Sequence, residues 1–415
     1  MKLAPSITWI IGLALAYGQP PAPTLTTLYS FAGGNDGIWP SGALTRDGKG
    51  VLYGATFYGG ERDSGTVFKL TPPAAGSTRW TEGVLYTFQG ELDGADPYGP
   101  VVLDSFGNLY GTTFQGGAYG EGTVFELSPP AGNTGQWTKS ILFNFDPSTG
   151  LYQPTGLISD SAGNLYGTAY GYQGSGGGGV FELSPNPWTP TTLYLFGAKG
   201  GSANALAIDA SGNLYGTTNS GGVDYDKYHG YLGTVYELSP PSEPQGEWTY
   251  GELYAFPSPA SGYQPLAALA IGAGGILYGT TTGNSHGPST GDVFQLSPPS
   301  ALGRMWNETI LHSFYGPDGG SLYGPVAFDT KGNLYGTTLN NADTTDCKSG
   351  CGTVFKLLAP TADGGPWASG WTIKFDNSDG WYPHGNLVIR ADGTVYGVTH
   401  YGGQYGYGTV YQIQP

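Results

Sequence analysis

The stretch GNLYGTTFQGGAYGEGTVFELSPP, residues 107–130, returns almost verbatim at Gly163 as GNLYGTAYGYQGSGGGGVFELSP. It returns again at Gly332 as GNLYGTTLNNADTTDCKSGCGTVFKL. A phrase repeated along one chain marks one structural unit repeated in space. Its steadiest part is a Leu-Tyr-Gly or Val-Tyr-Gly tripeptide, with tyrosines at Tyr53, Tyr110, Tyr166, Tyr215, Tyr278, Tyr335 and Tyr396. Seven copies spaced 49 to 63 residues apart describe a constant unit with elastic loops.

Each unit holds four strand-like runs. In the second, GPVVLD (Gly99 to Asp104) is followed by a tight Gly107-Asn108 turn and LYGTTF. A glycine-rich loop then leads to GTVFELS, and a proline-rich stretch containing Trp137 leads to KSILFNF. The runs are β-branched and aromatic, and Gly, Pro, Asn and Asp bound them. No helical apolar period is sustained. Four antiparallel strands in each of seven repeats predict an all-β, seven-bladed β-propeller. Stacked blades bury both faces of each sheet, which explains why the strands do not alternate cleanly between apolar and polar. The glycine of the tripeptide is expected to let an aromatic ring lie on the backbone.

The last repeat stops after its third strand, GTVYQI. An orphan fourth strand, TLTTLYSF (Thr24 to Phe31), stands near the start of the chain. It matches GVLYTF, SILFNF, TLYLF, GELYAF, ILHSF and TIKF, so it is expected to complete blade seven, closing the ring and hiding its edges.

The words GNLYGTT…GG…GTVFELSP resemble the GloVer tandem repeat of exported bacterial proteins. The resemblance runs over nearly the whole chain after its first residues. It implies a repeat architecture and an extracellular address, and little about activity. Many such proteins are linked to a C-terminal anchor, and none is evident in this sequence.

The composition agrees. Glycine (74) and proline (31) make up about a quarter of the 415 residues, close to low-complexity values. However, 31 Tyr, 17 Phe and 10 Trp are too many for a solvated coil. The net charge of −16 argues against nucleic acid and against an anionic membrane surface as partners. Residues 1–18 read as an export signal: Lys2, then the apolar run Ile7 to Tyr17, then Ala16-Tyr17-Gly18 as a cleavage site before Gln19. The apolar run is too short to span a bilayer. The expectation is a secreted or periplasmic monomer, with residues 19–415 forming one propeller. Cys347 and Cys351 are the only cysteines and are expected to pair in a local disulfide.

Loops joining each fourth strand to the next blade share a face with the loops between second and third strands. That face carries the variation. The inter-blade segments supply Trp39, Tyr98, Tyr152, Tyr263, Tyr323, Trp381 and Tyr382. The other loops supply Phe57, Tyr58, Phe114, Tyr119, Tyr170, Tyr172, Tyr225, Tyr228, Tyr231, Tyr401, Tyr405 and Tyr407. Flat rings with polar edges suit sugar rings, whose C–H faces stack on them. Asp36, Asp93, Asp318 and Asp379 each precede a glycine shortly after a strand-ending Phe. Such Asp-Gly pairs ordinarily satisfy their own turn. Alternatively, they could ring the channel and hold a structural Ca²⁺. No other cofactor or metal is expected. Paired carboxylates could serve glycoside hydrolysis, with Asp96, Asp146 and Asp376 as further candidates.

Of the five histidines, His229, His286, His384 and His400 fall on this face. His384 and His400 are expected to be neighbours in blade seven beside Trp381 and Tyr401. As neutral imidazoles they could exchange protons or bind a metal. His312 lies within a fourth strand and is assigned no role. No nucleophile elbow, phosphate loop or dinucleotide fingerprint is present. The first reading is a binding module for polysaccharide or glycan. The alternatives are a glycan hydrolase or lyase on the same face, and an extracellular protein-interaction scaffold.

Overall fold

The computed structural model describes residues 22–133, 135–171, 177–197, 201–222, 225–226, 230–243, 246–284, 290–299, 305–340, 347, 350–362 and 365–415. Residues 1–18, expected to be an export signal, lie outside these residues, as do His229, His286, Tyr172, Tyr228 and the side chains of Tyr225 and Tyr231.

Seven four-stranded antiparallel sheets stand around an axis as a seven-bladed propeller. Blade one runs from the inner strand Ile38–Arg46 through Leu52–Tyr58 and Thr66–Thr71 to the outer strand Thr81–Thr87. Blades two to six repeat that order. Blade seven takes three strands from the end of the chain (Trp381–Ile389, Val395–Tyr401, Thr409–Gln414) and its outer strand, Thr24–Ser30, from the beginning. Thr24 pairs with Gln414 and Ser30 with Thr409, so the two ends of the chain close the ring.

The inner strands begin earlier than the sequence suggests. Blade two starts at Ala95 rather than Gly99, and blade seven starts at Trp381. Trp39, Tyr98, Tyr152, Trp381 and Tyr382 therefore sit in strands, not loops. The cause is a bend that keeps pairing alive through an irregular register. In six blades a non-glycine residue there is left-handed: Trp39, Asp96, Gln153, Gln264, Ser321 and Tyr382, with φ between 47° and 59°. This region costs about 1–3 kcal/mol for such residues and persists only where the surroundings impose it. Here the surroundings are the preceding blade. Each of these residues donates its backbone N–H to a carbonyl there: Tyr407, Ser64, Glu121, Leu232, Thr290 and Cys351.

A second contact fixes the same junction. The glycine of Gly-Thr-Val-Phe lies under the proline of the next blade. A Cβ on Gly65, Gly122, Gly233, Gly352 or Gly408 would stand 2.3–2.8 Å from Pro97, Pro154, Pro265, Pro383 or Pro40. Inside each blade the tripeptide glycine accepts a ring from the paired third-strand residue. A Cβ on Gly111 would lie 2.5 Å from the Phe125 ring, and Tyr236 and Tyr411 replace Phe in blades four and seven. The tripeptide tyrosine points elsewhere: Tyr110, Tyr166, Tyr215 and Tyr335 donate their hydroxyls to Asp104, Asp160, Asp209 and Asp329 in the hairpin that precedes them.

The apolar core is divided among the seams. Seven buried clusters form, and each joins two neighbouring blades. One sets Val67 and Phe88 of blade one against Leu109 and Phe125 of blade two. Another sets Phe31 and Val410 of blade seven against Leu52 and Phe68 of blade one, so closure is apolar as well as hydrogen-bonded.

Toward the perimeter the seams differ. Between blades one and two, Lys139 reaches Asp93 at 2.8 Å and lies over the rings of Tyr86 and Phe88. Between blades three and four, Tyr194 stacks on Tyr250 at 4.4 Å. At the closing seam the residue matching Lys139 is Glu82, beside Asp36 and Tyr29. Burial and the Asp36 charge push its carboxyl up to about 7. An open groove of about 1410 Å³ runs along this seam, lined by Tyr29, Trp80, Glu82, Asp376 and Tyr405 among others.

Two outcomes follow for stability. Gly122→Ala places a Cβ 2.3 Å from the Thr113 carbonyl at a φ of 96°. Urea unfolding is expected to show a loss of at least about 2 kcal/mol. Glu82 has a folded pKa above its unfolded value, so it binds protons more readily when folded, and its ionisation opposes folding as pH rises from about 4.5 towards 7. Glu82→Gln is expected to raise the melting temperature at pH 8 and to leave it nearly unchanged at pH 4.5.

Candidate functional site

At the axis the inner strands come within backbone distance of one another. A Cβ on Gly385 would meet the Gly42 carbonyl at 2.0 Å, one on Gly42 would meet Gly99 at 2.3 Å, and one on Gly99 the Thr155 carbonyl at 2.6 Å. On the far side side chains bridge the blades: Asn204 donates to the Pro265 carbonyl at 3.0 Å and Thr280 to that of Gly324 at 3.1 Å. This collar bounds a cavity of about 250 Å³. The residue just before the inner glycine or alanine contributes to its lining from six blades: Tyr98, Thr155, Asn204, Leu266, Tyr323 and His384. Tyr170 and Asn386 complete its polar wall.

From one edge of this cavity an unbroken line of rings extends around the axis. Tyr170 meets Phe114 at 6.0 Å, Phe114 meets Tyr98 at 5.8 Å, and Tyr98 meets Phe57 at 6.1 Å. Phe57 continues to Tyr58 at 4.7 Å and Tyr58 to Trp39 at 5.1 Å. Trp39 touches His400 and Tyr401 at 5.5 and 5.1 Å. Tyr401 stacks on Trp381 at 4.5 Å, and Trp381 meets Tyr382 at 4.7 Å. His384 stands 5.8 Å from His400. The arc thus crosses blades three, two, one and seven. It gathers Trp39, Tyr58, Tyr98, Phe114, Tyr170, Trp381, Tyr382, Tyr401 and both blade-seven histidines.

The other candidates are placed differently. Tyr323 faces the cavity from blade six, with 42% of its surface exposed. Tyr152 is buried and donates to the Pro147 carbonyl at 3.1 Å. Tyr263 is buried against Gly283. Tyr119, Tyr405 and Tyr407 are exposed and outside the arc. Cys347 and Cys351 are joined in a disulfide, with Cα atoms 5.3 Å apart.

The four aspartates do not converge on the axis, and none lines the cavity. Asp36 accepts from the Tyr29 hydroxyl at 2.6 Å and from the Ala32 amide. Asp93 accepts from Tyr86, the Gln89 amide and Lys139, each at 2.8 Å. Asp318 ends the turn Gly316–Asp318. Burial and nearby Asp376 raise the carboxyl of Asp379. Asp146 caps its own turn through the Ser148 amide, as Asp376 does through Ser378. Among the described residues no three His, Cys, Asp or Glu side chains are grouped as metal ligands. Asp96 is the acidic exception near the arc: burial, aided by Asp63, lifts its carboxyl to about 6, and both charges act on Tyr58.

The cavity is electrically quiet. No Asp, Glu, Lys or Arg lines it. Burial pushes the Tyr98 hydroxyl up to about 12, with Tyr170 and Tyr323 adding to the effect, so the phenol remains a donor. Burial drives His384 below the ordinary imidazole value, and burial plus His384 brings His400 down to about 3. Both rings are uncharged at neutral pH. The Nδ1 of His384 is closed off from solvent and has no hydrogen-bond partner. Asn204, Thr155, Leu266 and Asn386 escaped the sequence reading, although aligning the residue before each inner glycine or alanine would have found the first three.

The fold is thus a seven-bladed propeller with an uncharged axial cavity and an aromatic arc on one face. The chain belongs to the Gloeobacter/Verrucomicrobia repeat family, matching it over residues 15–150 and 132–305. No curated protein matches it in sequence. Among solved structures it is similar to an ulvan lyase of polysaccharide lyase family 25, at 10% identity and a TM-score of 0.55, covering 92% of this chain and 94% of that one. It is also similar to an extracellular domain assigned to a one-component system of B. thetaiotaomicron, at 12% identity and a TM-score of 0.55, covering 93% of this chain and 39% of that one. At such identities the likeness concerns the fold. Among the described residues no helix is long and apolar enough to cross a membrane.

The histidine pair has a measurable signature. The folded pKa of His400, about 3, lies below its unfolded value, so between about pH 6.5 and 3 the unfolded chain binds more protons and stability falls as pH falls. For His400 the cost approaches about 1.4 kcal/mol per pH unit in that window. His400→Gln is expected to flatten the decline in melting temperature between pH 7 and 4 relative to the unaltered protein; an unchanged slope would mean that His400 is not held neutral.

Proposed function

We propose that this is an exported glycan-binding protein whose axial face stacks sugar rings on the aromatic arc. The observation that carries the reading is the continuity of the arc: rings from four blades, spaced 4.5–6.1 Å apart, follow one path around the axis. Such a row presents apolar faces with polar edges, which suits the alternating C–H and hydroxyl surfaces of a polysaccharide. The acidic chain disfavours nucleic acid. The fold likeness to a polysaccharide lyase agrees with a carbohydrate ligand.

A second reading, a glycan-cleaving enzyme, is favoured by one observation. His384 lines the cavity with the Tyr98 phenol, and a second neutral imidazole, His400, stands 5.8 Å behind it. Neutral imidazole can accept a proton and phenol can donate one.

Chain 19–415, incubated with a panel of soluble and insoluble polysaccharides, separates the readings when bound protein and released sugar are measured together. Binding without release is expected. Trp381→Ala and Tyr170→Ala, at opposite ends of the arc, should each weaken binding in part, by roughly 1 kcal/mol, and not abolish it. Release of oligosaccharide, lost in His384→Gln, would establish the enzyme instead. Absence of both binding and release would overturn the glycan reading.

A further inference from the structure

We infer that the axial cavity is the seat of a single uncharged sugar ring, with the rest of the glycan lying across the arc. This rests on the glycan reading above and narrows it to a ligand class. Size is the first argument. About 250 Å³ falls below the roughly 300–1,000 Å³ that encloses a drug-sized ligand, so one ring enters and a second remains outside. Within a shaft bounded by backbone, that ring belongs to a chain end or a branch.

Charge is the second argument. An ionised carboxylate or sulfate moved into this cavity would find no Arg or Lys, and its one histidine, His384, is held neutral by burial. Burying an unpaired charge is far costlier than burying a hydroxyl that finds a partner. The net charge of −16 repels uronic and sulfated chains further.

Hydrogen bonding is the third. The wall offers the hydroxyls of Tyr98, Tyr170 and Tyr323, the amides of Asn204 and Asn386, and the imidazole of His384. A sugar hydroxyl both donates and accepts, so it can pair with each of these groups. An alkylammonium group, which three tyrosine rings could also attract, only donates and so matches fewer of them.

The test is calorimetric titration of chain 19–415 with neutral hexasaccharides (cello-, xylo-, manno- and malto-) and with oligogalacturonate and alginate hexamers. His384→Leu removes hydrogen bonding at similar bulk, and Tyr323→Phe removes one hydroxyl from an exposed ring. Melting curves report whether each variant is folded. Expected are binding of at least one neutral series, no measurable binding of the uronates, and about tenfold or greater weakening in either folded variant. Binding of uronates in preference to neutral chains overturns the inference and leaves the glycan reading standing. Neutral binding that both variants retain in full does the same, placing the ligand on the arc alone. No binding of any hexamer sinks the inference, and the polysaccharide panel then decides the wider reading on its own.

Discussion

A left-handed residue at the entry to the inner strand, in six of the seven blades, is the constraint on which this propeller depends. Trp39, Asp96, Gln153, Gln264, Ser321 and Tyr382 occupy a backbone region that is unfavourable for any side chain with a Cβ. Each is held by an N–H···O=C bond to the preceding blade. The strain is local while its compensation is not, so a blade has this conformation only when its neighbour is in place. In five of these six blades the next residue is a proline, which acts in the same sense. It lies over the glycine that opens the third strand of the previous blade, where any side chain would collide. Backbone geometry thus couples adjacent blades before apolar contact is counted.

The division of the core follows from that coupling. Seven buried clusters, each drawing on two blades, replace one central core. No blade can bury its own faces, and a gap in the ring would expose two clusters at once. The N-terminal strand therefore does more than cover an edge. Phe31 and Leu28 join the cluster that bridges blades seven and one, so the closing seam has the apolar composition of the other six. Its perimeter lacks the ion pair of the neighbouring seam: where Lys139 meets Asp93 there, Glu82 faces Asp36.

Much of this was legible in the sequence because the repeat states the constraint in residue types. The tripeptide glycine, the hairpin glycine-asparagine and the orphan strand at Thr24 all translate directly into positions in a blade. The boundaries of the inner strands did not, because a left-handed residue inside a strand has no composition of its own; Trp, Asp, Gln, Ser and Tyr all serve. The aromatic face was legible as a tendency, and nine of its candidate rings form one connected group. The aspartates misled in part, since an Asp-Gly pair looks the same whether its carboxylate faces a channel or a tyrosine. The spacing held the answer: Tyr29 and Tyr86 each precede their aspartate by seven residues and donate to it.

Repetition builds the frame, and departures from repetition build the site. One position per blade, just before the inner glycine or alanine, faces the axis, and a perfect repeat would place seven identical side chains there. Instead it carries Tyr98, Thr155, Asn204, Leu266, Tyr323 and His384 in six of the blades. Among the described residues the arc is equally uneven, dense over blades seven, one, two and three and not continued over four, five and six. A lectin with equivalent pockets between blades would keep its rings in register around the whole circle. An axis whose lining differs at every step, with aromatic rings massed to one side, gives a ligand one orientation rather than seven.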